Sequence, residues 1–180
     1  MRLNDPLISS VIFKEFTYPL DMAFDNILDV LDVLNSNFYM GDKVNSALEL
    51  LIGENDLYID EKMDLLSIIL NEYININVGE LETDRLGNPL PNQDTSKKLI
   101  DLEKDAKYIY SSFRQMGINL FEEQGKLSWE EFQALLSSLP DDTIMSKIIE
   151  IRTYEPKKGE DAKYREKMRK LQNKYSLEED

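Results

Sequence analysis

The stretch from Asp105 to Arg152 constrains the fold of this chain more than any other part of the sequence. Apolar residues recur in it at helical spacing, and glycine, proline and short polar residues interrupt them at short intervals. This pattern predicts three short amphipathic helices separated by tight turns. The stretch contains no paired nucleophile and base, no cluster of metal ligands and no phosphate-binding loop. Function must therefore be inferred from surfaces and partners.

Helical periodicity extends through most of the chain and predicts a mainly α fold, a bundle of about six to seven helices. Two β-prone runs at 11–13 and 16–18, followed by Pro19, indicate a small N-terminal β-hairpin. Short polar side chains that can accept the first free amides mark the expected helix starts. These are Asp21, Ser128 with its capping-box partner Glu131, and either Asp141 or Asp142, and two further helices are expected to begin at Gly41-Asp42 and at Asp60.

Three segments are expected along the chain. Residues 1–76 carry the hairpin and three helices, and residues 97–180 carry the remaining helices and end in a basic one. Between them, residues 77–96 combine glycine, proline, asparagine and aspartate without periodicity, which predicts a linker or long loop. The terminal helix, within 160–175, has a thin apolar stripe. It must pack loosely, extend into solvent or dock on an acidic surface.

The formal net charge of −14 is unevenly distributed along the chain. Residues 1–100 hold 18 acidic and 7 basic side chains, whereas residues 101–180 hold 17 and 14. Such an acidic N-terminal half repels phosphate backbones, so we expect no nucleic-acid partner. The excess of acidic side chains either increases solubility or attracts a basic or amphipathic polypeptide.

Histidine and cysteine are both absent, which removes the commonest general base and the usual zinc ligands. The segment from Leu120 to Glu131 has the glycine and final glutamate of a calcium loop, but Leu120 offers no oxygen for the first ligand position. A turn followed by a helix N-terminus explains the segment better. We expect no enzyme activity, no cofactor and no metal, with a carboxylate-metal hydrolase as the enzymatic alternative.

The N-terminus and the hydropathy indicate a protein without membrane insertion. Residues 1–10 lack the apolar core of a signal peptide, and no window approaches about 18 apolar residues. A soluble protein that stays in the compartment where it is made is therefore expected.

Seven motifs follow one another in the second half of the chain. They lie at Asp105 to Phe113, Gly117 to Leu120, Trp129 to Phe132, Leu139 to Thr143, Lys147 to Ile149, Arg152, and Tyr175 to Leu177. Their order resembles the gp-fifteen family of bacteriophage proteins, which are encoded near the tape-measure gene. The resemblance covers most of the chain and is strongest over 101–177. One departure is that the family has a His-Trp-Trp cluster where this chain has Ser128-Trp129-Glu130.

The resemblance implies a tail assembly chaperone-like protein in the cytoplasm of the bacterial host cell. Such a protein coats the long helical tape-measure protein until tail tube subunits polymerise around it. The tape-measure protein is then the expected partner, the tail tube protein a second one, and self-association stays open. A structural tail component retained in the virion is the alternative.

Four residues are candidates for partner binding: Trp129, Phe132, Tyr110 and Arg152. Trp129, the single tryptophan, begins a helix with Phe132 one turn later, so it serves either as a core anchor or as an exposed binding aromatic. Tyr108 and Tyr110 lie on different helical faces, so at least one of them should be partly exposed.

Overall fold

The computed structural model describes residue 4, residues 6–74 and residues 99–177. Within this part of the chain it contains one two-stranded sheet, seven α-helices and one π-helical segment, which confirms the mainly α prediction with an N-terminal hairpin. The elements, in chain order, are β1 Ser10–Phe13, β2 Phe16–Pro19, α1 Phe24–Asn35, α2 Met40–Ile52, α3 Ile59–Ile68, the π-helical segment Ile69–Ile74, α4 Ala106–Gln115, α5 Trp129–Ser137, α6 Ile144–Thr153 and α7 Ala162–Tyr175.

The chain divides into two compact units. The N-terminal unit consists of Met1–Gln93 and Gln124–Ala134, and the C-terminal unit of Asp94–Glu123 and Leu135–Asp180. Each segment predicted from the sequence is continuous along the chain. The N-terminal unit of the structure is not continuous, because it also includes Gln124–Ala134. The predicted linker at 77–96 lies outside the described residues.

The hairpin places alternate side chains on opposite faces. β1 and β2 are antiparallel, with Val11 opposite Tyr18. Lys14 and Glu15 form the turn with φ values of 46° and 70°, the left-handed conformation that two-residue hairpin turns require. Val11 and Phe13 are buried beneath the sheet. The alternation therefore leaves the intervening side chain of β1 on the outer face.

The core of the N-terminal unit is formed by α1, α2, α3 and the segment that carries Trp129. Backbone hydrogen bonds tie this segment in: Phe24 donates to the carbonyl of Leu127, and Trp129 donates to that of Met22. The predicted cap at Asp21 is wrong. Its carboxylate accepts from the Ala23 amide at 3.0 Å, and α1 begins only at Phe24, because the chain first pairs with the Trp129 segment.

Helical spacing in the sequence predicts an apolar stripe on the third helix, formed by Met63, Leu66, Leu70 and Tyr73 and widened by Leu65 and Ile69. The structure confirms this stripe only in part. Leu65, Leu66, Ile69 and Leu70 are buried as expected, but Met63 is 47% exposed. The helix continues as the π-helical segment to Ile74, and the wider turn of a π-helix rotates the later side chains relative to α-helical spacing.

The C-terminal unit packs α6 against α4 and α7. Thr143, rather than Asp141 or Asp142, caps α6 by accepting from the Ser146 amide at 3.4 Å, so the predicted cap is wrong by one or two residues. The terminal helix α7 packs on α6 through one buried side chain, Met168. Its predicted thin apolar stripe is confirmed, and its basic side chains are exposed.

The sequence predicts a helix from an apolar repeat that ends before Gly117, namely Leu99, Leu102, Ala106, Ile109, Phe113 and Met116. Helix α4 is shorter than this repeat. It begins at Ala106 because the carboxylate of Asp101 accepts hydrogen bonds from the amides of Glu103 and Lys104, which holds the preceding residues in turns. Leu99, the first residue of the predicted stripe, is 40% exposed. Only the central part of the repeat is buried.

Candidate partner-binding surface

Trp129 and Phe132 form the aromatic centre of the N-terminal unit. Both are buried, at 3% and 2% exposure. The Phe132 ring stacks on Phe24 at 5.1 Å and on Trp129 at 5.6 Å between centroids. The Trp129 indole nitrogen donates to the carbonyl of Ile74 at 2.9 Å. The core-anchor interpretation of Trp129 is thereby confirmed, and direct partner contact by either ring stays a prediction.

Tyr110 belongs to the C-terminal unit, where it lies beside an exposed aromatic ring. It is half-buried, its hydroxyl donates to the Asn119 side chain at 3.4 Å, and its ring lies 5.0 Å from that of Phe121. Phe121 itself is 68% exposed. Tyr110 therefore packs beside an exposed aromatic side chain, Phe121, which was not predicted as a candidate from the sequence.

Arg152 joins several parts of the C-terminal unit. Its guanidinium donates two hydrogen bonds to Asp105, at 2.6 and 2.8 Å. It also donates to the carbonyls of Leu99, at 2.8 Å, and Tyr175, at 2.7 Å. The side chains of the ion pair are 8% and 2% exposed. The geometry assigns Arg152 a structural role, and a role in partner binding stays a prediction.

The calcium-like segment is used as a helix start. Glu131 accepts from the amide and the hydroxyl of Ser128, at 2.9 and 2.7 Å, and its own amide donates to that hydroxyl at 3.3 Å. This confirms the predicted capping box. Across 6–74 and 99–177, no group of three or more acidic, histidine or cysteine residues is placed to hold a metal ion. No helix in those ranges is long and apolar enough to cross a membrane.

The N-terminal unit carries most of the exposed apolar side chains of the described chain. We name this surface the apolar corner. It is formed by side chains from both faces of the hairpin, because Phe16 lies opposite Phe13 and Ile12 lies on the other face, and by residues at or just before the N-terminal ends of α2 and α3. Its members are Ile12, Phe16, Phe38, Tyr39, Met40, Tyr58, Ile59 and Met63, each at least 44% exposed.

Contacts within the unit hold these three elements together. A β-carbon added to Gly41 would lie 4.0 Å from the Ile59 side chain, so the first turns of α2 and α3 are neighbours. Lys14, at the hairpin turn, forms an ion pair with Glu61 in the first turn of α3 at 2.9 Å. The same carboxylate accepts from the Tyr58 amide at 2.9 Å. The hairpin and both helix starts therefore form one corner.

Acidic side chains border the apolar corner. The described residues of the N-terminal unit hold 15 acidic and 4 basic side chains, against 12 and 13 in the C-terminal unit. Exposed carboxylates lie on the hairpin turn, two residues before Tyr58 and in the first two turns of α2 and α3. They are Glu15, Asp42, Asp56, Asp60 and Asp64.

The lysines of this region are bound to other protein groups. Lys14 pairs with Glu61, which lowers the pKa of that carboxyl through a side-chain hydrogen bond, assisted by the Tyr58 amide. Lys43 donates to the carbonyl of Leu34, and Lys62 donates to the side chain of Asn45, both at 2.9 Å. A partner at the apolar corner would therefore meet mostly negative charge.

The apolar corner was not predicted from the sequence. Residues 38–40, Phe-Tyr-Met, form a compact apolar signal between the end of α1 and the start of α2. This run could have been recognised in the sequence. Three consecutive apolar residues at a helix start that do not belong to the apolar stripe of the helix either bind a partner or stay exposed. The neighbouring Tyr58 and Ile59 could be joined to it only through the tertiary contacts.

Comparison with known proteins gives one match. No curated protein and no solved structure matches the chain. Residues 3–177 match the family described as Bacteriophage Gp15 protein, which is nearly the whole chain and indicates a phage structural or assembly protein. The chain belongs to this bacteriophage Gp15 family.

Proposed function

We propose that this protein is a tail assembly chaperone-like factor, which binds the tape-measure protein and keeps it soluble until tail tube subunits surround it. It acts in the cytoplasm of the bacterial host, by non-covalent binding alone and without a cofactor. The observation that carries the proposal is the apolar corner, a group of eight exposed apolar side chains on an acidic unit. Membership of the phage family supplies the biological setting.

The physical basis is the mutual covering of apolar surface. A long helical protein that exposes apolar stripes aggregates because those stripes bury one another. Each large side chain of the corner gives roughly 1.5–3 kcal/mol when fully buried, of which part is lost to ordering both partners. A few such side chains give an affinity low enough for tail tube subunits to displace this protein from the tape-measure protein. The acidic excess keeps the complex dispersed.

Co-expression with the tape-measure protein of the same phage tests the proposal. We expect the soluble fraction of the tape-measure protein to rise and the two proteins to purify together. A matched control is co-expression with an unrelated acidic helical protein of similar size. An unchanged soluble fraction would remove the basis of the proposal.

Purified virions separate this function from that of a structural tail component. A chaperone leaves when the tail tube closes, so mass spectrometry of virions should find the tail tube protein without this chain. Stoichiometric presence of the chain in the particle would favour the structural alternative.

A further inference from the structure

We infer that the apolar corner binds an amphipathic α-helix whose apolar stripe is bordered by lysine or arginine. This deepens the proposed function, and it rests on that function for the existence of a helical partner in the cell. The partner is defined by its chemistry, which two features of the corner specify separately. The position of its most exposed rings favours a helix, and the charged side chains of the same segments select the charge.

The two most exposed rings of the apolar corner belong to helix starts and not to a strand of the hairpin. An extended peptide derives much of its affinity from main-chain hydrogen bonds along a strand edge, whereas a helix binds through side chains spaced three and four residues apart. Tyr39 and Tyr58, at 85% and 80% exposure, stand at the starts of two neighbouring helices. Large exposed aromatics of this kind are typical anchors for an apolar stripe.

The border of the corner selects a basic partner. Five exposed carboxylates lie on the same hairpin turn and helix starts as the apolar side chains, and the three lysines of these segments already bond to other groups of the same unit. Lysine or arginine at the edges of a bound stripe would lie opposite those carboxylates, and glutamate or aspartate would be repelled. The same reasoning disfavours a second copy of this chain, because a symmetric pair would place the carboxylates against one another.

Synthetic helical peptides of about 20 residues test both features with the full-length protein. One peptide carries a leucine stripe bordered by lysine, a second carries the same stripe bordered by glutamate, and a third has the lysine peptide's composition with the stripe scrambled. Binding is measured by fluorescence anisotropy. We expect the first peptide to bind at least about tenfold more tightly than either of the others, with the advantage over the glutamate peptide decreasing at high salt.

The matched variant is Tyr39→Ser combined with Tyr58→Ser. Both tyrosines occupy the position just before a helix, where serine is a preferred residue, so the variant loses two rings while the helix starts are retained. We expect it to lose at least tenfold in affinity for the lysine peptide. Phe121→Ser, which removes a ring that is 68% exposed from the C-terminal unit, should leave the affinity unchanged. Circular dichroism verifies that all variants are folded.

Three results would overturn the inference. These are equal binding of the lysine and glutamate peptides, equal binding of the scrambled peptide, and an unchanged affinity of the double tyrosine variant. Sedimentation velocity provides a further test, because self-association abolished by the same variant would assign the corner to a second copy.

Failure of the inference is distinguishable from failure of the proposed function. If the lysine peptide binds but the tape-measure protein is not solubilised, the function is wrong and the inference holds. If the double tyrosine variant solubilises the tape-measure protein as well as the unmodified chain does, the function holds and the inference is wrong.

Discussion

Replacing Arg152 with methionine removes a buried cation while keeping most of the length of the side chain. The unmodified guanidinium makes two hydrogen bonds to Asp105 and one each to the carbonyls of Leu99 and Tyr175. After the substitution, the Asp105 carboxylate, in a residue only 1% exposed, keeps the Asp101 amide at 3.0 Å as a donor. Removing one member of a buried pair costs about 3–5 kcal/mol, because the remaining charge stays buried without its counterion.

Urea denaturation followed by far-ultraviolet circular dichroism measures this loss. With a slope of about 2 kcal/mol per molar urea, the transition midpoint should fall by about 1.5–2.5 M. The companion variant Asp105→Asn and the double variant complete a thermodynamic cycle. We expect the double variant to be more stable than the sum of the two single losses predicts. A loss below about 1 kcal/mol for Arg152→Met would refute the reasoning, since the pair would then behave as a solvent-exposed one.

Three further predictions concern the core and the ionisable groups. Phe132→Ala should cost about 3–5 kcal/mol in urea denaturation, because it leaves a cavity between two stacked rings, and a loss below about 1 kcal/mol would contradict its central position. Burial, together with the hydrogen bond donated to Glu160, raises the pKa of Tyr154 to about 12. The stability that this raised pKa contributes is therefore present below about pH 10 and is lost as the pH rises through 12. In an absorbance titration at 295 nm, the unmodified protein should form one phenolate near pH 12 that the Tyr154→Phe variant lacks. If the two proteins differ near pH 10 instead, Tyr154 ionises as an ordinary tyrosine. The lowered pKa of Glu61 contributes stability that is present at neutral pH and is lost as the pH falls through the pKa of the folded state. Lys14→Met should therefore make the free energy of unfolding decrease less between neutral and acidic pH. An unchanged decrease would exclude the Lys14–Glu61 ion pair as the cause of the lowered pKa.

Short-range chemistry was predictable from the sequence where one residue has no competitor nearby. Ser128 and Glu131 form the expected capping box, since the three-residue spacing alone brings the two side chains together. Gly53 ends α2 with a φ of 77°, a conformation that side chains of other residues disfavour. The hairpin turn at Lys14 and Glu15 also lies where the two β-prone runs placed it.

Helix starts with several adjacent polar residues were predicted less well. Asp141, Asp142 and Thr143 can each cap a helix, and local propensity hardly separates them. The structure uses Thr143 because α6 is positioned by packing, with Met145 fully buried and its amide donating to the Ser112 hydroxyl on α4 at 3.1 Å. Long-range contact decided between locally equivalent alternatives.

The sequence by itself determined which segments become helices or strands and which residues are apolar, because periodicity and turn chemistry act within a few residues. Only the tertiary structure decided which apolar residues remain uncovered. Residues 53–58 lead the chain from the C-terminal end of α2 back to its N-terminal end, so that Tyr39 and Tyr58 lie on one exposed corner. Meanwhile Trp129, an equally strong candidate in the sequence, is enclosed by residues far away along the chain. Exposure depends on contacts between distant segments, and the pattern within one segment does not specify those contacts.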